Sequence, residues 1–263
     1  MKKSVLYSLI ALLVISACST VALTGRKQLN LVSNSEVLTS SFQQYDEFIQ
    51  TAPLSANKSN AAMVEEVGKK ISDAVERYFK ENNMSDRLEG YAWEYKLVQN
   101  TQANAFCMPG GKIVVYEGIL PYTKDENGLA VVLGHEVAHA VARHSNERMS
   151  QQLLVSVGNE AVGLALSEKS ELIRVLGSTV YGLGTQVGVM LPFSRKHESE
   201  ADYLGLIFMA MAGYDPNGAI QFWERMSTGE ASGPEFLSTH PSEKTRIEQI
   251  QRDLPKAMEY YKE

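Results

Sequence analysis

Apolar residues recur at helical spacing along most of this chain of 263 residues. The same spacing predicts helices over residues 35–50, 127–144, 147–166, 172–191, 195–212, 216–226 and 242–261. Ser33 or Ser35 is predicted to cap the first of them, and Pro216 to lie in the first turn of its helix. The clearest helix covers residues 60–82, where one face is apolar: Met63, Val64, Val67, Ile71, Ala74, Val75 and Tyr78.

Between residues 91 and 116, apolar residues no longer recur at helical spacing, and much of this stretch alternates between apolar and polar residues instead. Pro109-Gly110-Gly111 predicts a turn, and the β-branched run 112–116 predicts the strand that closes a hairpin. The fold class is therefore predicted to be α+β, predominantly α-helical with a small antiparallel β-sheet or hairpin. Before the turn, an apolar side chain stands at every second position and predicts another strand: Tyr91, Trp93, Tyr95 and Leu97.

The first residues predict a secretory signal. Lys2 and Lys3 precede an apolar run over residues 6–15, which is too short to cross a bilayer comfortably. The run ends at Ile15-Ser16-Ala17-Cys18, which resembles the lipobox of bacterial lipoproteins, in which the cysteine is lipid-modified. The alternative is a plain signal peptide with an incidental cysteine.

The expected organisation follows from that signal. We expect a signal peptide at residues 1–17, a lipidated N-terminus with a tether or an extended lead-in at 18–34, and one domain at 35–263. The lipid on Cys18 would hold the protein in the cell envelope on the periplasmic face, in the outer membrane rather than the inner one. Residues 172–192, which carry one charge, either form a buried or membrane-facing element or insert as a helix.

The net charge and the cysteine content limit the kinds of molecule that the protein is expected to bind. The net charge of −6 argues against nucleic acid, because phosphate binding needs a surplus of Lys and Arg. An acidic body does not bind anionic lipid, so membrane attachment would depend on the acyl chains. Cys107 would be the one thiol of the mature chain, and we expect it to pack as a small residue near a strand.

The sequence His135-Glu136-Val137-Ala138-His139 stands within the apolar helical stretch 127–144. A spacing of four residues puts both imidazoles on one helix face, so that both can reach one metal ion. Glu136 is turned by about 100° around the helix, within reach of a water on that metal but outside the ligand pair. Core histidines satisfied by backbone carbonyls are the alternative, but a metal better offsets the burial of three polar side chains.

Two imidazoles do not complete a zinc site, so a third ligand is expected on another helix. Glu198 and Asp202 are four residues apart on the predicted helix 195–212. Glu198 would take the third position, while Asp202 would hydrogen-bond the outer nitrogen of a ligand histidine and fix its tautomer. Glu200 is the alternative third ligand, and a solvated charged face is the alternative for the whole segment.

These two motifs resemble the M48 family of zinc metallopeptidases, the gluzincin group that includes the Ste24 and Oma1 enzymes, and imply a zincin-like domain. We expect neither the several membrane helices of the Ste24 branch nor a helical-repeat extension in this chain. It is therefore similar to the compact bacterial lipoprotein branch, and prenyl-protein processing is not expected. Shorter matches extend the resemblance over about residues 60–252: Asn104-Ala105-Phe106, the run 109–115, Thr239-His240-Pro241 and Arg246-Ile247.

The resemblance implies a role for each motif residue. One zinc ion per chain would be bound by His135, His139 and Glu198, polarise the scissile carbonyl and lower the pKa of its water. Glu136 would act as the general base and pass the proton to the leaving amine. Near the hairpin, Asn104 and Ala105 would line a cleft in which a peptide substrate adds as a strand. The alternative is that Asn104 is only a turn residue.

The sequence pattern says less about the roles of three further histidines. His240 follows the glycine-containing stretch 229–233 and precedes the last predicted helix. It either stabilises the oxyanion, caps the zinc as a fourth ligand in a closed state, or is a loop residue at a helix start. His144 and His197 are predicted to lie on solvated faces.

The leading hypothesis is a lipid-anchored zinc endopeptidase that hydrolyses misfolded or unassembled proteins of the cell envelope. The first alternative is a non-catalytic envelope chaperone with a structural zinc ion, although a structural site has no use for Glu136. The second is a zinc hydrolase with a non-peptide substrate. The predicted hairpin argues against that reading, because it suits the addition of a peptide strand.

Overall fold

Helices dominate the part of the chain that the computed structural model describes, which is residues 18–21, 23–159, 194–227, 235–240 and 245–262. The predicted signal peptide at 1–17, the stretch 172–192 and the stretch 229–233 lie outside the described residues. The described helices are α1 (Asn34–Thr51), α2 (Lys58–Glu81), α3 (Leu120–Thr123), α4 (Glu126–Val141), α5 (His144–Asn159), α6 (Arg195–Met211), α7 (Gly218–Ser227), α8 (Glu235–Thr239) and α9 (Arg246–Met258).

Side-chain caps fix where two of the long helices begin. Ser33 accepts a hydrogen bond from the N–H of Glu36, whose carboxylate accepts one from the N–H of Ser33, so Ser33 rather than Ser35 caps α1. Asp125 caps α4 by accepting from the N–H of Gly128 at 2.8 Å. These caps satisfy N–H groups that the first turn of a helix leaves unpaired.

Helix α7 begins later than its sequence predicts. It starts at Gly218, so the prediction that Pro216 lies in the first turn is wrong. The carboxylate of Asp215 accepts a hydrogen bond from the N–H of Asn217 at 2.9 Å. The N–H groups of Gly218 and Ala219 donate to the carbonyls three residues before them, so Pro216 lies in a tighter turn that leads into the α-helix.

A three-stranded sheet lies beside the helices, formed by β3 (Glu94–Val98), β4 (Ala105–Met108) and β5 (Lys112–Tyr116) in the order β3-β5-β4. Strands β4 and β5 form the predicted antiparallel hairpin. Strand β3 is parallel to β5, so the sheet is mixed and not wholly antiparallel as expected. The chain reverses between β3 and β4 and again in the hairpin, which returns β5 to the direction of β3. The predicted α+β class, predominantly α-helical, is confirmed.

Two short strands precede α1. Strands β1 (Cys18–Thr20) and β2 (Lys27–Leu29) pair antiparallel, and residues 18–29 are called the N-terminal ribbon below. Strand β2 packs against α5, and the N–H of Leu31 donates to Ser150 Oγ at 2.9 Å.

Helix α4 is the centre of the core. All of its residues from Gly128 to Val141 are buried, as their apolar sequence predicts. It packs against α6, α2 and β4, and its approach to α6 is closest where Gly134 faces Gly205. A Cβ atom added to Gly134 would lie 2.8 Å from the carbonyl oxygen of Gly205. Two glycines therefore allow the backbones of α4 and α6 to come into contact.

Two further expectations concern membranes and thiols. None of the helices in the described ranges combines the length and the apolar character that crossing a bilayer requires. Cys107 is a buried free cysteine within β4, which confirms the expectation that it packs near a strand.

Candidate metal centre and active site

Three buried polar side chains project from α4. The Nε2 atoms of His135 and His139 lie 3.1 Å apart, and the two ring centroids are separated by 4.6 Å. Glu136 follows His135 on the adjacent face, and all three residues are at most 3% exposed. Because apolar residues surround this helix, the polar atoms must find partners inside the protein.

Helix α6 brings Glu198 to the same place. Ser194 caps this helix by accepting from the N–H of His197 at 3.3 Å, which places Glu198 in the first turn. One carboxylate oxygen of Glu198 lies 3.5 Å from His135 Nε2, and the other lies 3.3 Å from His139 Nε2. The contact between the two glycines holds these helix turns together.

His240, which follows α8, joins this group. Its Nδ1 lies 3.1 Å from Glu198 Oε1 and 3.1 Å from His135 Nε2, and its Nε2 lies 3.3 Å from Glu136 Oε1. The ring of Phe236 stacks on the His240 ring with centroids 4.6 Å apart. The structure thus gathers four residues whose ligand atoms lie within 4.8 Å of one another, here called the ligand group: His135, His139, Glu198 and His240.

Asp202 and Arg246 contact the ligand group on the side of His135 Nδ1. Asp202 Oδ1 lies 2.9 Å from His135 Nδ1, the ring nitrogen that faces away from Glu198. The guanidinium of Arg246 donates to Asp202 Oδ1 at 2.6 Å and to Glu198 Oε2 at 3.1 Å. It also lies over the indole of Trp223, 3.4 Å from the ring centroid. Both carboxylates are therefore fixed relative to His135.

The electrostatics of the ligand group suit a bound cation. Burial alone would raise the pKa of the Glu198 carboxyl, but the charge of His240 and hydrogen bonds with the histidines hold that pKa well below its ordinary value. Burial lowers the pKa of the His139 imidazole well below its ordinary value. An anionic oxygen and a neutral imidazole nitrogen are the ligand forms that zinc binds. The residues therefore fit a divalent metal.

The pKa of the His135 imidazole is shifted in the opposite direction to that of His139. Burial acts to lower its pKa, but hydrogen bonds with Asp202 and Glu198, together with their negative charges, raise it above the ordinary value. The two carboxylates thus create a negative potential at this ring. A cation held by the ligand group would meet that same potential, which is a second reason why the residues fit a metal.

Glu136 has a carboxyl group suited to accepting and releasing a proton. Burial raises its pKa to about 7, although the charges of His240 and Arg246 act to lower it. Within the described residues, its Oε1 atom has no hydrogen-bond partner. Its polar neighbour is His240 Nε2 at 3.3 Å, so this oxygen can accept a proton from a reacting molecule if that contact opens.

Asn104 and Ala105 lie at the start of the edge strand β4. Both residues are buried, and Asn104 Oδ1 accepts from the N–H of Ala105 at 2.9 Å. The backbone carbonyl of Asn104 accepts from the N–H of Tyr116 on β5. Next to them, the carbonyl of Ala103 accepts from the N–H of Phe236, which ties α8 to this edge. The Asn104 side chain therefore shapes the backbone where β4 begins.

The prediction that His144 and His197 lie on solvated faces is wrong. His144 is 0% and His197 is 2% exposed, and their rings stack with centroids 4.4 Å apart. Glu200, the alternative third ligand, is not in the ligand group, because its Oε2 atom lies 2.9 Å from His144 Nε2. These histidines and this glutamate form a separate buried cluster behind His139.

Sequence reasoning missed the contacts of three charged side chains in and behind the ligand group. Arg246 was noted only as part of a motif match, and its contacts with two carboxylates had no signal in the spacing. Arg26 and Glu147 were not singled out at all, although they are ion-paired at 2.8 Å. Glu147 lies three residues after His144, on the same side of a helix, and this spacing was an available signal. No local pattern connects Arg26 with its partners, which are more than 120 residues away.

A buried helix with His-Glu-x-x-His, crossed by a second helix that adds a carboxylate, defines a class of protein. A mostly helical α+β domain with this site is a metallopeptidase domain. The sequence profile of peptidase family M48 matches residues 65–253 of this chain. The chain belongs to peptidase family M48.

Three relatives are similar to this chain over more than half of its length. The mitochondrial metalloendopeptidase OMA1 of Schizosaccharomyces pombe is 42% identical over 190 residues, which cover 71% of this chain and 53% of that protein. Metalloendopeptidase OMA1 of Homo sapiens is 33% identical over 174 residues, 63% of this chain and 33% of the human protein. The β-barrel assembly-enhancing protease of Escherichia coli is 30% identical over 182 residues, 63% of this chain and 36% of the relative. The chain thus spans between a third and about half of the length of these relatives.

Proposed function

We propose that the chain is a zinc-dependent endopeptidase. The observation that carries this proposal is the convergence of His135, His139 and Glu198 in one buried group beside the carboxyl group of Glu136. Two imidazoles and one carboxylate form the ligand set of many catalytic zinc sites. Membership of a peptidase family supports the proposal, as do the names of the similar proteins.

Each residue then has a defined task. His135, His139 and Glu198 would hold the zinc ion, which supplies Lewis-acid polarisation of the scissile carbonyl when it is bound. Glu136 would accept a proton from the attacking water and deliver it to the amine nitrogen as the peptide C–N bond breaks. Asp202 would accept a hydrogen bond from His135 Nδ1, which keeps the lone pair of Nε2 directed at the ligand group.

His240 is proposed to act as a fourth ligand in a closed state. Its Nδ1 atom is 3.1 Å from both Glu198 Oε1 and His135 Nε2, so it lies among the other ligand atoms. A donor to the oxyanion would instead face the position of the substrate carbonyl, beside the ligands. The distances favour closure over oxyanion stabilisation. Displacement of His240 would then precede peptide cleavage.

A peptide substrate is proposed to bind along β4. This strand is at the edge of the sheet, and an edge strand offers backbone groups to an added strand. Ala105 belongs to β4, and Asn104 sets its first residue by bonding the N–H of Ala105. Both residues would therefore determine where a substrate backbone enters the site.

The chemical step is tested by replacing Glu136 with glutamine in the zinc-loaded protein. We expect E136Q to lower the rate of hydrolysis of an unfolded protein by at least ~100-fold, because a general base contributes this much or more. Zinc content should stay at one ion per chain. The matched control is E65Q on the exposed side of α2, which should cleave like the unchanged protein. Undiminished cleavage by E136Q would refute the mechanism.

We also propose that the protein works in the cell envelope, on misfolded or unassembled proteins, and that a lipid on Cys18 anchors it. The lipobox-like residues 15–18 support the anchor, and the similarity to an Escherichia coli protease named for β-barrel assembly supports the envelope setting. The outer membrane, facing the periplasm, is the proposed location.

The anchor has its own test. The full chain should incorporate labelled palmitate and sediment with membranes, because acyl chains provide the membrane affinity. The C18S variant should lose the label and move to the soluble fraction, while the C107S variant should keep both properties. Membrane association of C18S equal to that of the unchanged protein would exclude lipid on this cysteine as the anchor.

A non-catalytic zinc-holding chaperone is the second candidate. The observation that favours it is His240, since a fourth protein ligand would close the site as in structural zinc centres. The H240A variant separates the two candidates. A catalytic site should keep its zinc through the remaining three ligands and cleave at least as fast, whereas a structural site should lose zinc and gain no cleavage.

A further inference from the structure

A second buried cluster lies behind His139, on the side of its ring away from Glu198. Its members come from α5, α6 and the N-terminal ribbon, and neither α5 nor the ribbon supplies any residue of the ligand group. Four of them are at most 7% exposed and the side chain of the fifth is 11% exposed. This outer cluster consists of His144, Glu147, His197, Glu200 and Arg26.

The outer cluster contacts the ligand group through one pair of ring nitrogens. His139 Nδ1 lies 2.8 Å from His144 Nδ1, and His144 Nε2 lies 2.9 Å from Glu200 Oε2. A carboxylate oxygen only accepts hydrogen bonds, so His144 Nε2 is the donor to Glu200. Only one of the two facing Nδ1 atoms can carry the proton, and it is that of His139 when His139 Nε2 serves as a ligand atom. The lone pair of His139 Nε2 then points into the ligand group.

Arg26 fixes the carboxylate at which this chain of hydrogen bonds ends. Its Nε atom donates to Glu200 Oε2 at 2.6 Å, and Thr24 Oγ1 donates to Glu200 Oε1. At its other end, the guanidinium donates to Glu147 Oε1 at 3.1 Å. Arg26 therefore holds one carboxylate from α5 and one from α6.

Glu147, the second carboxylate that Arg26 binds, supports the same orientation of His144. Glu147 Oε2 lies 3.0 Å from His197 Nε2, and the His197 ring stacks on the His144 ring at an interplanar angle of 21°. His144 is thus fixed by Glu200 at its edge and by His197 across its face. Both supports depend on carboxylates that Arg26 binds.

We propose that Arg26 and Thr24 of the N-terminal ribbon are positioning residues of the metal centre, which act through Glu200 and His144 to orient the ring of His139. This inference rests on the proposed function. An ordinary ion pair between the ribbon and a helix would contact only the helix surface. The contacts of Arg26 instead lead through Glu200 and His144 to the ring of His139, which is a ligand residue. Outer partners of metal-bound histidines generally change metal affinity by 10- to 100-fold when they are replaced.

The experiment measures zinc affinity of the full chain by competition with a chromogenic chelator. R26A should bind zinc about 10- to 100-fold more weakly than the unchanged protein. R26K, which keeps the charge but cannot bridge both carboxylates, should recover part of that loss. The matched control is K27A, which removes the same charge from the next, exposed residue and should leave the affinity within about twofold.

A spectroscopic readout separates positioning from general stabilisation. Nitrogen-15 spectra of the histidine rings should give His139 of the unchanged protein a single tautomer with its proton on Nδ1. R26A and the milder T24V should show a mixture of tautomers at this ring. T24V removes one hydrogen bond and no charge, so it remains informative if R26A unfolds the ribbon.

The outcomes for the inference and for the proposed function differ. If the unchanged protein binds zinc and cleaves an unfolded protein, while R26A and T24V retain its zinc affinity and a single His139 tautomer, the inference is overturned and the proposed function stands. Lower thermal stability of R26A with unchanged affinity and tautomer has the same meaning. If the unchanged protein binds zinc weakly or not at all, the proposed function itself fails.

Discussion

The carboxyl group of Glu147 shows how one residue is stabilised inside the outer cluster. Burial would raise its pKa, but hydrogen bonds from His197 and Arg26 and their charges lower the pKa to about 2. An unfolded glutamate has a pKa of about 4.3. The folded state therefore binds the proton of Glu147 more weakly than the unfolded state does, and this difference stabilises the fold at neutral pH.

That difference predicts a pH dependence of stability. The contribution of Glu147 is complete above about pH 5 and is lost as the pH falls towards 2, because protonation then favours the unfolded chain. At pH 7, E147Q should lower the free energy of unfolding by about 2 kcal/mol, less than the full pKa difference would give, because solvent screens a partly buried carboxylate. The gap between the two proteins, measured by urea unfolding, should close near pH 2. A gap that stays constant from pH 7 to pH 3 would contradict the assignment.

Single residues were predictable where chemistry and spacing coincide. The pattern of His135, Glu136 and His139 needs only a helix to align it, so its geometry was available from sequence. The prediction of solvated faces for His144 and His197 fails because their partners are distant in sequence. His144 contacts Glu200 across 56 positions and His197 contacts Glu147 across 50, and no local spacing encodes such contacts.

At the scale of elements, the crossing of α4 and α6 determines whether the ligand group forms. Gly134 and Gly205 are in contact, and a Cβ atom added to Gly205 would lie 2.9 Å from the backbone of Gly134. That separation is shorter than van der Waals contact with backbone atoms that cannot rotate away. A side chain at either position must therefore push the two helices apart.

The glycine contact gives a prediction for paired substitutions. G205A should lower the free energy of unfolding by ~1–3 kcal/mol, because overpacking forces the backbone to shift, and should weaken zinc retention. G134A should have a similar effect. The double variant should lose less than the sum of the two, since the first methyl group already separates the helices. Strict additivity in urea unfolding would show that the glycines act independently.

The observed helices agree closely with the helical spacing of apolar residues in the sequence. Helices α2 and α4 have apolar patterns and were placed within two or three residues of their observed ends. The parallel pairing of β3 with β5 was not predictable from alternation, because alternation reports which face is buried and not which strand lies alongside. The late start of α7 reflects the tighter bonding of the turn at Asp215 and Pro216, where N–H groups donate to carbonyls three residues back, and spacing does not encode it.

At the scale of the whole molecule, the proposed metal joins segments that are distant in sequence. Ligand binding to the folded state alone stabilises it by mass action, by about 2.7 kcal/mol when the free metal is 100-fold above its dissociation constant. Chelation should therefore lower the melting temperature by roughly 5–10 °C for a domain of this size. Calorimetry with and without chelator measures the shift.

The control for chelation is the H135A variant. It lacks one ligand, so its melting temperature should respond weakly to the chelator, while E65Q should respond like the unchanged protein. Equal melting temperatures of the unchanged protein before and after chelation would mean that no metal contributes to the fold.

The order in which the chain is synthesised has a consequence for the two arginines that flank the ligand group. Arg26 meets Glu200 across 174 positions, and Arg246 meets Glu198 across 48. A nascent polypeptide leaves the ribosome amino end first, so the charge that neutralises Glu198 and Asp202 arrives after both helices of the motif. The contacts that fix these two carboxylates can therefore form only after the C-terminal helix α9 is available to fold.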